Sequence, residues 1–128
     1  MNRSIENLFI WNESRIFVNA IYKMMANCKD WGFRDQIQRA SVSIMNNIAE
    51  GSESGSDAKF VNFLNIAKGS CGEVRSQLYR ALDAEFISQA KFDELFNMNM
   101  KLSASIAKFI VSLKSSTISG QKNKSPET

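Results

Sequence analysis

One helical stripe of apolar and small residues constrains the fold of this chain more than any other feature of its sequence. Between residues 60 and 81 such residues recur at alternating intervals of four and three positions without a break. The members of this stripe are Phe60, Leu64, Ala67, Cys71, Val74, Leu78 and Ala81. Because intervals of three and four place side chains on one face of an α-helix, the pattern predicts a long helix that buries this face against other helices.

Three further segments repeat this spacing. Their stripes are Ile10, Ser14, Phe17, Ile21, Met24 and Cys28; then Phe33, Ile37, Ala40, Ile44 and Ile48; then Phe92, Leu95, Asn99, Leu102, Ile106, Phe109 and Leu113. The four predicted helices span about 12–29, 33–50, 57–83 and 89–114. Because short links favour antiparallel neighbours, the sequence predicts an all-α, antiparallel up-down-up-down four-helix bundle over residues 1–115.

Polar residues at the predicted helix ends support these boundaries. Asn12, Ser88 and either Ser56 or Asp57 are predicted N-caps, because their short side chains accept hydrogen bonds from the free N–H groups of a helix start. Gly32 is expected to adopt a positive φ in a turn between the first two helices.

The last residues of the chain lose the apolar period. Residues 116–128 contain Lys122, Lys124 and Pro126 but few bulky apolar side chains. Such a composition cannot bury enough apolar surface to order itself, so this segment is predicted to be a disordered tail.

The chain of 128 residues contains no histidine, which excludes whole classes of active site. Ser-His-Asp and Cys-His catalysis, His-ligated zinc and Glu-x-x-His di-iron sites all require an imidazole. Cys28 and Cys71 are far apart and lack CxxC spacing, so both are predicted to be buried free thiols. With no apolar run long enough to span a bilayer, we predict a cytoplasmic protein that has no membrane association, no cofactor, no metal site and no catalytic residue.

Basic residues are unevenly distributed along the chain. Sixteen basic and 13 acidic residues give a net charge of +3, and residues 58–82 carry four basic residues against one acid, Glu73. Residues 95–114 contain lysines as their only charged residues. The candidates for contact with nucleic-acid phosphates are Arg34, Arg39, Lys59, Lys68, Arg75 and Arg80. A solvated helix face explains the same charges, and Arg39 is equally a candidate for a structural ion pair with Glu73 or Glu50.

Small residues form a second stripe on the third predicted helix. Gly69, Gly72 and Ser76 follow one another at steps of three and four. Because glycine weakens a helix interior, a groove that admits a neighbouring helix gives these residues a purpose, and we predict an oligomer interface here. The alternative is that the fold tolerates two glycines that locally weaken this helix. Apolar residues outside the core stripes, such as Ile66 and Val111, indicate either self-association or wide core-facing stripes.

Two sequence blocks in the central third carry a family signature. The first contains Gln38-Arg39-Ala40-Ser41-Val42-Ser43-Ile44 and Asn47-Ile48-Ala49-Glu50-Gly51; the second contains Phe60, Phe63-Leu64, Ile66-Ala67, Gly69-Ser70, Glu73 and Leu78. Together they resemble the bacterial four-helix-bundle proteins encoded in 23S ribosomal RNA intervening sequences. The motif residues that this resemblance identifies are Ser43, Asn47, Glu50, Gly51, Gly69, Ser70 and Glu73.

The resemblance implies a small non-enzymatic bundle that assembles into a homo-oligomeric ring, which is a pentamer in relatives. A related branch, the accessory protein of diversity-generating retroelements, binds nucleic acid and a reverse transcriptase through basic surfaces. We therefore expect a module that binds the backbone of RNA or DNA; the alternative is an adaptor that binds another protein, such as a reverse transcriptase, without nucleic-acid contact. Met45 replaces a proline of many relatives, so the second helix should continue without a kink.

Overall fold

The computed structural model describes the backbone of residues 4–124 and the side chains of residues 4–116. Within this part of the chain the regular structure is entirely helical: a 3₁₀ turn at Ile5–Asn7 precedes α1 (Phe9–Met25), α2 (Trp31–Ser52), α3 (Asp57–Asp83) and α4 (Gln89–Lys124). The predicted all-α four-helix bundle is confirmed. Links of four or five residues, 26–30, 53–56 and 84–88, join the helices.

Side-chain contacts define the relative direction of the helices. Asn99 of α4 reaches Cys71 of α3, whereas Phe92, earlier in α4, packs against Tyr79, later in α3. Residues earlier in α4 thus contact residues later in α3, so the two helices run antiparallel. The contact between Ser43 and Ser70 and the contact between Gly51 and Phe60 define the same antiparallel arrangement for α2 and α3. Helix α1 packs against both α2 and α4 and closes the bundle.

Helix α1 lies several residues closer to the N-terminus than the sequence predicts. It begins at Phe9, after an N-cap residue, Leu8, that has no side-chain acceptor, and it ends at Met25 instead of residue 29. Asn12 is therefore not the N-cap. Its amide lies inside the helix and donates to the carbonyls of Leu8 at 3.0 Å and Glu6 at 3.1 Å. These bonds fasten the preceding turn to α1, which a capping pattern in the sequence does not reveal.

The turn predicted around Gly32 belongs to α2. Asp30 is the N-cap, and its Oδ1 accepts a hydrogen bond from the Phe33 N–H at 3.0 Å. Gly32 is consequently in the first helical turn, and the positive φ expected for it is absent. The one glycine with a positive φ among the described residues is Gly55, at 86°, in the link before α3. Helix α2 continues unbroken through Met45 to Ser52, as the missing proline predicts.

Helix α3 has the predicted boundaries and well-defined caps. The Ser56 hydroxyl accepts from the Lys59 N–H at 3.2 Å, so Ser56 is the N-cap. At the other end Glu85 takes a φ of 62°, in the left-handed region usually left to glycine. The Phe86 N–H then donates to the Ala81 carbonyl at 2.9 Å and the Glu85 N–H to the Leu82 carbonyl at 3.0 Å. This is the hydrogen-bond pattern of a Schellman motif.

Helix α4 starts as predicted and extends beyond its predicted end at residue 114. The Ser88 hydroxyl accepts from the Lys91 N–H at 3.1 Å, which confirms Ser88 as the N-cap. The helix runs to Lys124, because no proline occurs before Pro126 and the lone Gly120 does not interrupt it. Residues 116–124 are therefore a continuation of α4, and residues 125–128 of the predicted tail lie outside the described residues.

The stripe of α3 forms the centre of the core. All seven of its members, from Phe60 to Ala81, are completely buried. Val18, Met25 and Ile110, which lie outside the four predicted stripes, are buried as well, so the core-facing stripes are wider than the minimum. Other surplus apolar side chains remain in solvent, including Ile66, which is 52% exposed, and Val111, which is 63% exposed. The core of a single chain therefore accounts for some of the surplus apolar residues and leaves others uncovered.

Candidate interaction surfaces

The six predicted phosphate-binding residues do not form one patch. Lys68 and Arg75 lie on the side of α3 that faces α4. Lys59 and Arg80 are exposed in the first and last turns of α3, so nearly the whole length of that helix separates them. Arg34 and Arg39 lie on α2. The linear cluster of charges is thus divided among different faces of the bundle.

Arg39 forms an ion pair within its own helix. Its Nε lies 3.0 Å from Oδ2 of Asp35, one helical turn earlier, and both side chains are mostly exposed. The predicted pairing with Glu73 or Glu50 is therefore wrong, because the i, i+4 partner is closer than a carboxylate on another part of the bundle. Glu73 does line the same shallow groove between α2 and α3 as Arg39. An exposed pair of this kind contributes little to stability.

Lys68, Gly72, Arg75 and Tyr79 follow one another at steps of four, three and four, so they share one side of α3, and contacts of Arg75 and Tyr79 place this side next to α4. The Arg75 guanidinium lies 3.4 Å from Sδ of Met100, and the Tyr79 ring packs against Phe92 at a centroid distance of 5.0 Å. These contacts hold the basic stripe at the α3–α4 junction, with Lys68 exposed.

Helix α4 carries further lysines that the residue-by-residue prediction did not include. Lys101, Lys108 and Lys114 are exposed, and no acidic residue occurs between positions 95 and 116. The charge pattern of the sequence already contained this signal, since lysines are the only charged residues of that stretch. We call the five residues Lys68, Arg75, Lys101, Lys108 and Lys114 the basic surface.

The motif residues of α2 and α3 form a polar seam between the two helices. The hydroxyls of Ser43 and Ser70 are 2.9 Å apart. The Asn47 amide donates to the Ser43 carbonyl at 2.8 Å and to the Ser43 hydroxyl at 3.0 Å. Asn47 therefore bonds one turn back along α2. Shared hydrogen bonds of this kind fix the register of two packed helices. Glu50 is exposed beside the seam.

Gly51 is the motif residue with the strictest steric requirement. A Cβ at this position would lie 2.6 Å from Cδ1 of Phe60 and 3.1 Å from Cβ of Phe63. Any side chain here collides with α3, so glycine permits α2 and α3 to approach closely just before the link that joins them. Gly51 is helical and has a negative φ, which other residues also adopt. Glycine is therefore required by the packing of α3 against this position and not by the backbone conformation.

Gly69 and Gly72 show the opposite environment. A Cβ at Gly69 would meet nothing within 4 Å, and one at Gly72 would meet only the Arg75 guanidinium, at 3.9 Å. Neither glycine is needed for packing within the chain. Together with the exposed Ser76 they leave a flat, small-residue face of α3 that is open to solvent.

A groove also runs between α1 and α4, on the other side of the bundle. It is lined by Ile16, Asn19, Ala20, Lys23, Met24, Lys91, Glu94, Leu95 and Met98. Ile16 is 63% exposed although it is strongly apolar, and Leu95 is buried in the core. Lys91 and Glu94 form an ion pair at 3.0 Å on its edge. The groove is therefore an apolar surface with a charged rim.

The interior contains polar side-chain atoms and a thiol. Asn99 is completely buried; its amide donates to the Cys71 carbonyl at 2.9 Å, whereas its Oδ1 has no hydrogen-bond partner among the described residues. Burial raises the pKa of the Cys71 thiol to about 12, so this cysteine is a poor nucleophile. Cys28 is half-buried, and both thiols are free. Within the described residues no group of three Cys, Asp or Glu side chains is placed to hold a metal ion. None of the helices there combines the length and apolarity that a bilayer span requires.

Comparison with known proteins places the bundle among proteins of the same fold. The model of the 23S rRNA-intervening sequence protein family matches residues 6–108. The chain is also similar to a protein of unknown function from the S23 ribosomal protein family of Bacteroides thetaiotaomicron VPI-5482, solved at 1.70 Å resolution. The two share 28% sequence identity and a TM-score of 0.74, over 79% of this chain and 97% of that chain. The chain matches no curated protein.

Proposed function

The chain belongs to the 23S rRNA-intervening sequence protein family, and from this premise we propose that it is a cytoplasmic, non-enzymatic module that binds the sugar-phosphate backbone of RNA or DNA as a homo-oligomeric ring. The observation that carries the proposal is the basic surface. Its five cations lie along α3 and α4, and no acid occurs on α4 between positions 95 and 116. A stretch of helix that carries cations and no acid attracts polyanions, because its field is not cancelled locally.

The assembly is proposed to be a pentamer, as in relatives. The small-residue face of Gly69, Gly72 and Ser76 is open in the single chain, and Ile66 on the same helix remains half-exposed. Contact with a second copy at this face would bury apolar area that the single chain leaves in water. Each copy would also repeat the basic surface, so that the field of the ring would exceed that of one bundle.

Salt dependence of binding tests the nucleic-acid proposal. We expect a fluorescently labelled structured RNA or DNA duplex to bind at low salt and to lose affinity steeply as salt rises from about 50 to about 200 mM. The double variant Lys68→Gln/Arg75→Gln should reduce the slope of log K against log salt by about two, because each phosphate contact contributes about one. Lys23→Gln, on α1 away from the basic surface, is the matched control and should leave the slope unchanged. Absence of binding to both nucleic acids at low salt would refute the proposal.

Light scattering tests the ring independently. Gly72→Leu adds a side chain where the single chain has space, since the nearest atom to its Cβ is the Arg75 guanidinium at 3.9 Å. We therefore expect normal helix content and a smaller assembly. Asn46→Leu, at an exposed position of α2 and not on the small-residue face of α3, should leave the assembly intact. A clean monomer for the unmodified chain at micromolar concentration would exclude the ring.

A second candidate function is an adaptor for another protein, such as a reverse transcriptase, without nucleic-acid contact. The groove between α1 and α4 favours it, because the exposed Ile16 offers an apolar anchor beside a charged rim. Capture of one defined protein that survives nuclease treatment and is lost in Ile16→Glu would support this function. Capture that nuclease abolishes would support the nucleic-acid module.

A further inference from the structure

Trp31 is the most exposed large aromatic side chain at the end of the bundle where α2 begins. It is the first residue of α2, and 67% of its surface is accessible to solvent. The fold does not require it there, because Phe33 is the residue that packs into the core and against Phe86, at a ring-centroid distance of 5.3 Å. The exposed indole offers a broad aromatic face and an N–H donor to a ligand.

Arg34 places a positive charge beside this indole. Its guanidinium carbon lies 5.2 Å from the centroid of the Trp31 ring, one helical turn further on. Arg34 has no carboxylate within ion-pair distance in the described part of the chain, whereas Asp35, the nearest acid in sequence, is paired with Arg39. The guanidinium therefore retains its positive charge and donors for an external anion.

The surroundings of Trp31 supply groups that can recognise a base. Trp31 and Arg34 line a shallow cleft with Gly32, Asp35 and Gln38. A Cβ at Gly32 would meet only Oδ1 of Asp30, at 3.8 Å, so the floor of the cleft is open backbone. The Gln38 amide provides donors and an acceptor, and the Asp35 carboxylate provides acceptors, for the edge of a base. Exposed Lys29 adds a second positive charge beside the cleft.

We propose that Trp31 and Arg34 bind one unpaired nucleotide, with its base stacked on the indole and its phosphate held by the guanidinium. This inference rests on the proposed nucleic-acid function and narrows its ligand to a chain with a single-stranded segment. In a duplex both faces of every internal base are covered by neighbouring bases, so only an unpaired or terminal base can stack on an exposed ring. The basic surface has no such requirement, because it contacts phosphates, which a duplex also presents.

Tryptophan emission tests this stacking directly. The chain has two tryptophans, and Trp11→Phe leaves Trp31 as the single emitter. We expect an unpaired oligonucleotide to quench the emission of this variant. A long blunt duplex at equal nucleotide concentration, in which terminal bases are scarce, should quench it far less. In a parallel titration with labelled strands, Trp31→Ala should weaken the affinity for the unpaired strand at least about fivefold, the lower end of what stacking one base contributes. The affinity for the duplex should stay the same.

Two controls separate stacking from other effects. Phe9→Ala removes an aromatic that is 72% exposed at the opposite end of α1 and should change neither affinity. Arg34→Lys keeps the charge but removes the planar group, so it should weaken binding of the unpaired strand and keep the salt dependence. The inference is overturned if Trp31→Ala leaves the affinity for the unpaired strand unchanged while both nucleic acids bind; the proposed function then stands. It is also overturned if Trp31 emission responds to protein dilution and not to oligonucleotide, because a second copy then covers the ring. If neither nucleic acid binds, both proposals fail.

Discussion

Replacement of Gly51 by alanine should destabilise the bundle, although alanine is the better helix former. The added Cβ would lie 2.6 Å from Cδ1 of Phe60, closer than carbon atoms can approach without movement. The Phe60 ring cannot swing aside, because it is completely buried and packs against Phe109 at a centroid distance of 5.3 Å. The second close contact, 3.1 Å to Cβ of Phe63, can be relieved only by shifting α3 itself.

Two opposing terms determine the magnitude of the effect. Overpacking a well-filled core costs about 1–3 kcal/mol, and alanine gains up to about 1 kcal/mol over glycine in a helix interior. The net loss expected for Gly51→Ala is therefore about 1 kcal/mol. Gly69→Ala isolates the packing term when both variants are compared as monomers, because Gly69 is also helical but its Cβ would meet nothing within 4 Å in the single chain. Gly69→Ala should thus be stabilising by up to about 1 kcal/mol.

Thermal unfolding followed by circular dichroism measures the difference between these two variants. A gap of about 2 kcal/mol corresponds to roughly 6–10 °C in Tm for a domain of this size. Both variants must be compared at one protein concentration, since assembly would make Tm depend on it. If Gly51→Ala is as stable as Gly69→Ala, the close approach of α2 and α3 does not explain the glycine, and the steric argument is refuted.

Three further predictions concern single positions. Because burial raises the pKa of Cys71 to about 12, a thiol reagent at pH 8 should modify Cys28 alone, and the free energy of unfolding should fall as pH rises above the unfolded thiol value of 9.0; Cys71→Ala should weaken this fall. Asn99→Leu should raise the free energy of unfolding in urea by about 1 kcal/mol, because it removes a buried acceptor that has no partner among the described residues; a clear decrease would mean that water or another group satisfies this acceptor. Glu85→Gly should raise Tm by a few degrees, because Glu85 has a φ of 62° and glycine adopts it without strain; an unchanged or lower Tm would contradict this.

The core could be predicted from the sequence because burial repeats with the helical period. Every member of the α3 stripe is completely buried, and the boundaries of α3 agree with the predicted 57–83. The caps at Ser56 and Ser88 could be predicted for a similar reason, since each involves a hydroxyl and an N–H three residues away. Such interactions are local or periodic, and a linear sequence records both.

Helix ends without local polar caps could not be predicted in this way. Helix α1 starts after Leu8, whose side chain caps nothing, while Asn12 acts from inside the helix. Gly32 resembles a turn residue in sequence, yet Asp30 initiates α2 one position before Trp31. In each case a neighbouring residue two to four positions away satisfies the backbone, and the prediction selected the wrong member of the group.

Surface contacts depend on side-chain placement that a helical period does not determine. The sequence suggested an ion pair between Arg39 and Glu73, and the two residues do line one groove. However, Arg39 pairs with Asp35, because a long exposed side chain takes the nearest carboxylate on its own helix. The predicted phosphate-binding residues lie on several faces of the bundle for a related reason. They were selected because they are close in sequence, and closeness in sequence does not specify which face of a helix a residue occupies.

The absence of acids on α4 between positions 95 and 116 is not subject to this limitation. A single lysine can point toward or away from a ligand, but a helix whose charged residues between positions 95 and 116 are all lysines is positive in every rotation. The structure then needs only to place that helix at the surface, where Lys101, Lys108 and Lys114 are exposed. Trp31 is the opposite case. Its proposed role in binding depends on its exposure and on the adjacent Arg34 guanidinium, and the sequence specifies neither. The charge pattern therefore favours a polyanionic ligand, and the exposed indole is the reason to compare an unpaired strand with a duplex.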